Sequence, residues 1–146
     1  MDKVDYESPS VQSYLNILQS VINRMASNSS SCKTWCITLV SAIIVIIADK
    51  GKPDYIYISI VPIILFLFLD SYYLWLEKLL RKLYNDFIKK LHCNTATIDD
   101  VFIVTPGTKI EISRAAIKSF ASISVWPFYV LLCLMLFIVR IIILQK

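Results

Sequence analysis

The chain has 146 residues, 57% of them hydrophobic and 18% charged, and carries a net charge of +4. That is too short for two sizeable soluble domains. The hydrophobic residues gather in three blocks, 35–48, 55–69 and 126–139, each near the length that crosses a bilayer. The second and third blocks are hard to place outside lipid. A buried soluble helix is the alternative for the first.

Residues 1–8 read as a polar tail. From Pro9, Val11, Leu15, Leu18, Ile22 and Met25 recur at helical spacing, with Gln12, Asn16, Gln19 and Asn23 between them. This predicts an amphipathic helix. It packs on the cytosolic arm of the long helix that follows or lies on the lipid surface, and its neutral polar face favours packing. Residues 24–35 then hold Asn28 and a run of serines, a composition that predicts a turn or a helix cap at the membrane boundary. It serves as a plain connection, or as a vestibule in which Asn23, Arg24, Asn28 and Lys33 meet ions or a partner.

The first span carries Thr34, Thr38 and Ser41 at i, i+4 and i+7, on one face. In lipid such hydroxyls support close helix packing, or line a pore in an oligomer. The four cysteines, Cys32, Cys36, Cys93 and Cys133, read as free thiols. His92 beside Cys93 reads as a surface residue, so no metal site is expected. Residues 49–54 form a short turn around Gly51 and Pro53.

Residues 55–92 read as one helix of about 55 Å, longer than a hydrocarbon core of about 30 Å. It crosses the bilayer and leaves as a cytosolic arm. Pro62 predicts a bend. Asp70 falls in the inner third of the membrane, a functional candidate by default, or one that reaches the headgroups beside the Tyr72, Tyr73 and Trp75 belt. Arg24, Lys33 and Lys118 are possible basic partners. Beyond Trp75, Leu76, Leu79, Leu80, Leu83, Phe87 and Leu91 form a stripe that needs a partner surface. The N-terminal helix and other copies of the chain are the two candidates.

Residues 101–104 and 109–112, around Pro106 and Gly107, read as a small β-hairpin. With Asp99, Asp100, Lys109 and Arg114 it is a candidate surface for a protein or small-molecule trigger, or a mere connection. Residues 113–120 suggest a short interfacial helix. Residues 126–146 form the third span, where Arg140 snorkels outward or rings a pore. Lys and Arg crowd residues 78–118, which places that loop and the N-terminus in the cytoplasm.

The predicted fold is therefore an all-α membrane protein of three transmembrane helices. It has an N-terminal amphipathic helix, a long cytosolic extension of the second span and the hairpin. Its units are 1–31, 32–76, 77–121 and 122–146. No catalytic constellation and no cofactor motif is visible, so an enzyme is not expected. The basic arm lacks the interleaved aromatics that nucleic acid would need.

The order from residue 9 to 92, an amphipathic helix, a tight two-span hairpin and a long cytosolic helix, resembles the SLATT class of bacterial two-transmembrane effectors. That resemblance implies an inner-membrane protein that oligomerises and perforates or depolarises the membrane in anti-phage defence. The third span departs from the pattern. The expected function is an oligomeric channel or pore-forming effector gated by a cytosolic partner or signal. The alternative is a membrane anchor that recruits a soluble enzyme.

Overall fold

The computed structural model describes residues 7–50, 53–103, 119–120 and 122–144. Its first element, α1 (Pro9–Lys50), is one uninterrupted helix of 42 residues, about 63 Å long. Residues 24–35 are helical throughout, so the expected turn at Asn28 does not form. The cause is the buried seam. Ile22, Met25, Ser29, Cys32 and Cys36 are all buried at steps of three and four. No Gly or Pro interrupts the chain between Val11 and Lys50. Serine and asparagine prefer turns only weakly, and packing overrides them here.

A 3-10 segment (Pro53–Ser59) leads into α2 (Ile60–His92). Together they form the long helical stretch expected at 55–92. Pro62 lies in the first turn of α2, three residues after the 3-10 segment ends at Ser59. The winding changes from 3-10 to α just before it.

The helical stretch closes at Asn94, whose φ of 53° is the left-handed turn common after helices. A short 3-10 turn (Ile98–Asp100) follows, held by a capping box between Thr97 and Asp100. Residues 101–103 are turn and coil, with Phe102 at φ 67°. They do not form the start of the expected hairpin. Among the described residues no strand is present, only a single bridge residue at Thr97. The rest of the hairpin, 104–112, and most of the expected interfacial helix lie outside the described residues. The last element is α3 (Trp126–Leu144), of 19 residues.

Helices α1 and α2 pack antiparallel along their lengths. Tyr14 meets Phe87 edge-on at 4.9 Å between ring centroids. Ile22 and Met25 pack with Leu80, and Ile47 clusters with Ile56. Helix α3 joins at one end only, where Tyr129, Leu132 and Leu136 meet Cys36, Val40, Ile63 and Leu74. Among the described residues the other end is a two-helix arm closed by Ala96 and Val101.

The stretches Pro9–Lys50 and Asp54–His92 are long and apolar enough to cross a membrane, and Trp126–Ile142 is a shorter apolar helix. Only 22% and 28% of the apolar windows of the two long helices are buried inside the protein. A core helix of a soluble protein would be mostly covered. Val45, Val61, Phe68, Leu131 and Phe137 instead face outward. In water so large an apolar surface is unfavourable, whereas lipid accepts it.

Candidate functional site

The most unusual chemistry lies where the three-helix end meets the two-helix arm. Asp70, on α2, is wholly buried. Its charge is met from α1. Lys33 Nζ lies 2.9 Å from both carboxylate oxygens, with only the Oδ1 contact at good hydrogen-bonding geometry. The Ser29 hydroxyl donates to Oδ1. Lys33 Nζ also donates to Ser29 Oγ at 3.4 Å. Ser29 and Lys33 are one helical turn apart, so both reach the same oxygen. From α3, the buried Tyr129 hydroxyl lies close to the Asp70 carboxylate.

An isolated carboxylate in an apolar interior is prohibitively costly, so its partners must come with it. The cluster is thus an ionic clamp joining α1 to α2. Trp35 follows Lys33 on α1, Trp75 stands about one turn beyond Asp70, and Trp126 opens α3 just before Tyr129. All three tryptophans of the chain flank the clamp. Such rings favour the level of lipid headgroups.

The other predicted residues are dispersed. Thr34, Thr38 and Ser41 are exposed on the face of α1 that turns away from α2. Arg140 lies over the Tyr57 ring at 5.2 Å, and its Nε is buried without a hydrogen-bond partner. Asn23 is exposed and accepts from Gln19 Nε2 at 3.2 Å. Arg24 is exposed and Asn28 half-buried, neither of them in the clamp. Lys109 and Arg114 lie outside the described residues.

Asp99 and Asp100 sit at the far end of the arm, Asp99 exposed. Lys90 Nζ donates to Asp100 Oδ1 at 2.6 Å, and the Thr97 N–H donates to Oδ2 at 3.1 Å. These two bonds hold the Asp100 carboxyl below its ordinary pKa. Tyr14 donates to the Ile103 carbonyl. Its pKa is raised by burial and, secondarily, by the charge of Asp100. Ile98 and Phe102 nonetheless project into solvent here.

Lys33 is among the partners that the sequence offers for Asp70, whereas Ser29 and Tyr129 are not. The available signal was register. Ser29 continues the apolar seam of Ile22 and Met25, where a lone hydroxyl implies a polar neighbour on the facing helix. Among the described residues no group of three or more His, Cys, Asp or Glu is placed to hold a metal.

Fold and clamp together define a mostly helical protein with two membrane-length apolar helices, a shorter third and a buried ion pair at their polar boundary. Comparison with protein-family models, with curated proteins and with solved structures finds no match to this chain.

Proposed function

We propose that the chain crosses a bacterial inner membrane three times, with its N-terminus and segment 77–121 in the cytoplasm. Copies assemble into a channel or pore-forming effector that a cytosolic partner or signal gates. A role in anti-phage defence rests on the resemblance to SLATT effectors alone.

The observation that carries this reading is the outward face of α1. From Ser13 to Ser41, through Asn16, Ser20, Asn23, Ser27, Ser30, Thr34 and Thr38, hydroxyl and amide side chains recur at steps of three and four, all of them exposed. The period is close to the roughly 3.5-residue repeat of helices that coil around one another. Small hydroxyls let helices approach closely in lipid. Thr34 and Thr38 donate their hydroxyl protons to Ser30 O and Thr34 O, at 3.3 and 2.8 Å. What they turn outward is therefore acceptor oxygen, which suits cations better than anions. One protomer with three thin spans cannot enclose a water path, so conduction requires assembly.

Purified protein in a planar bilayer is expected to conduct cations, with its partner if one is needed. Thr38→Leu and Ser41→Leu should remove conductance while the oligomer persists in detergent. A silent bilayer with partner and signal present, or a strictly monomeric particle, overturns the channel. Ile98 and Phe102 at the tip of the arm support a second reading, an anchor that recruits a soluble enzyme through this apolar surface. It predicts loss of activity on Ile98→Ser and Phe102→Ser, and none on Thr38→Leu.

A further inference from the structure

Beside the clamp, on α2, lies a groove of about 230 Å³ lined by Phe68, Ser71, Tyr72, Trp75 and Phe120. Aromatic contacts build its walls. Phe68 meets Phe120 at 6.1 Å, and Tyr72 meets Trp75 at 5.6 Å. Trp126 backs Phe120, stacking edge-on at 6.3 Å and donating Nε1–H to its carbonyl at 2.9 Å. One residue does not fit an apolar wall. Ser71 is only 5% exposed, and its Oγ has no hydrogen-bond partner. Buried hydroxyls are almost always bonded, so this donor points to a missing acceptor.

The volume limits what enters. Pockets for whole small molecules hold roughly 300–1,000 Å³, so this groove takes one segment of a longer molecule. Charge limits it further. Lys78 shares the α2 face of Ser71 and Trp75, one turn beyond the groove. It is exposed, with Nζ 3.2 Å from Ser122 Oγ. An apolar slot, then a donor, then a cation is the order of groups along a phospholipid, from chain to ester to phosphate.

The geometry points to a binding site for an anionic glycerophospholipid on this face of α2. One acyl chain lies along Phe68, Tyr72 and Phe120. Its ester carbonyl accepts from Ser71, and its phosphate meets Lys78. The site rests on the membrane placement proposed above but not on channel activity.

The test is native mass spectrometry of the delipidated full chain in mild detergent. Phosphatidylglycerol and phosphatidylcholine with identical chains are titrated separately. Phosphatidylglycerol should be retained about fivefold better, the worth of one lysine at an anionic surface. Lys78→Glu should bring it to the phosphatidylcholine level, whereas Lys89→Glu, further along the arm, should not. Ser71→Phe should reduce both lipids, because it fills the slot. Lys78 is exposed, so Lys78→Glu decides the matter if Ser71→Phe does not fold. Millimolar inorganic phosphate should not displace the lipid. Equal retention of the two lipids, or displacement by phosphate alone, overturns the site. Retention by a protein that is silent in bilayers upholds it and removes only the channel. Failure of the chain to enter phosphatidylglycerol vesicles overturns both.

Discussion

Asp70 is fully buried, while Lys33 keeps 23% of its side chain exposed. That asymmetry decides which half of the clamp is harder to lose. Asp70→Asn leaves an ammonium that can swing toward water, at a cost of about 2 kcal/mol. Lys33→Met strands a carboxylate that cannot move, and should cost nearer the ~3–5 kcal/mol of a broken buried pair. The double variant should recover part of the loss, because neither charge then remains unpaired. Thermal melts in detergent followed by circular dichroism check the order, and a milder Lys33→Met would sink the clamp. Asp100 makes a different prediction. Its folded pKa lies below the ordinary 3.8, held there first by Lys90 and then by the Thr97 N–H. The stability it lends the 98–100 turn is whole above that ordinary value and disappears as pH falls through the folded one. Amide exchange at Thr97, corrected for intrinsic rate, should be flat between roughly pH 7 and 5 and should rise below about pH 4. Asp100→Asn should exchange faster throughout and show no such step.

Helix α1 uses adjacent serines in opposite ways. Ser29 faces inward to Asp70, and Ser30 faces outward on the polar stripe. Their continuity in one helix is itself testable. Ser30→Pro would clash with the preceding turn and push Ser29 out of helical geometry, costing about 3 kcal/mol or more. Ser30→Ala should be neutral or slightly stabilising. A turn at this place would tolerate the proline, so an unchanged melt for Ser30→Pro excludes the continuous helix. The contrast shows what the amino acids alone disclose. The apolar period of Val11, Leu18, Ile22 and Met25 is visible on inspection, and these residues are buried. So is the long helical stretch, because nothing breaks the run from Pro62 into the Leu79, Leu80 and Phe87 seam. The join across 24–35 is not visible. Local propensity there favours a turn, and the contact that outweighs it comes from Asp70, 41 residues away. The left-handed Phe102 was equally hidden. A bulky residue adopts that geometry only under tertiary constraint, here the Tyr14 ring at 5.7 Å and the bond from Tyr14 to Ile103.

At the scale of the whole molecule, the proposed orientation follows from where charge and apolar surface divide. The clamp and the tryptophans mark the boundary, and the arm beyond them carries Lys78, Arg81, Lys82, Lys89 and Lys90. Lys and Arg in such number hold a segment in the cytoplasm. The native cysteines report on this without engineering. Cys32 and Cys36 are buried, and Cys133 is exposed in the middle of α3, which the proposed arrangement places in lipid, out of reach of a membrane-impermeant reagent. Cys93 is exposed at the end of α2, on the arm. In bacterial spheroplasts, an impermeant maleimide should leave the chain unlabelled until the inner membrane is opened, and should then label one site per chain. Cys93→Ser should abolish that labelling. Modification of Cys93 in intact spheroplasts would invert the orientation and place the arm outside. A second labelled site at Cys133 after opening would mean that α3 borders water rather than lipid. In that case α3, with Arg140 near its end, would have to replace the hydroxyl face of α1 as the wall of the channel.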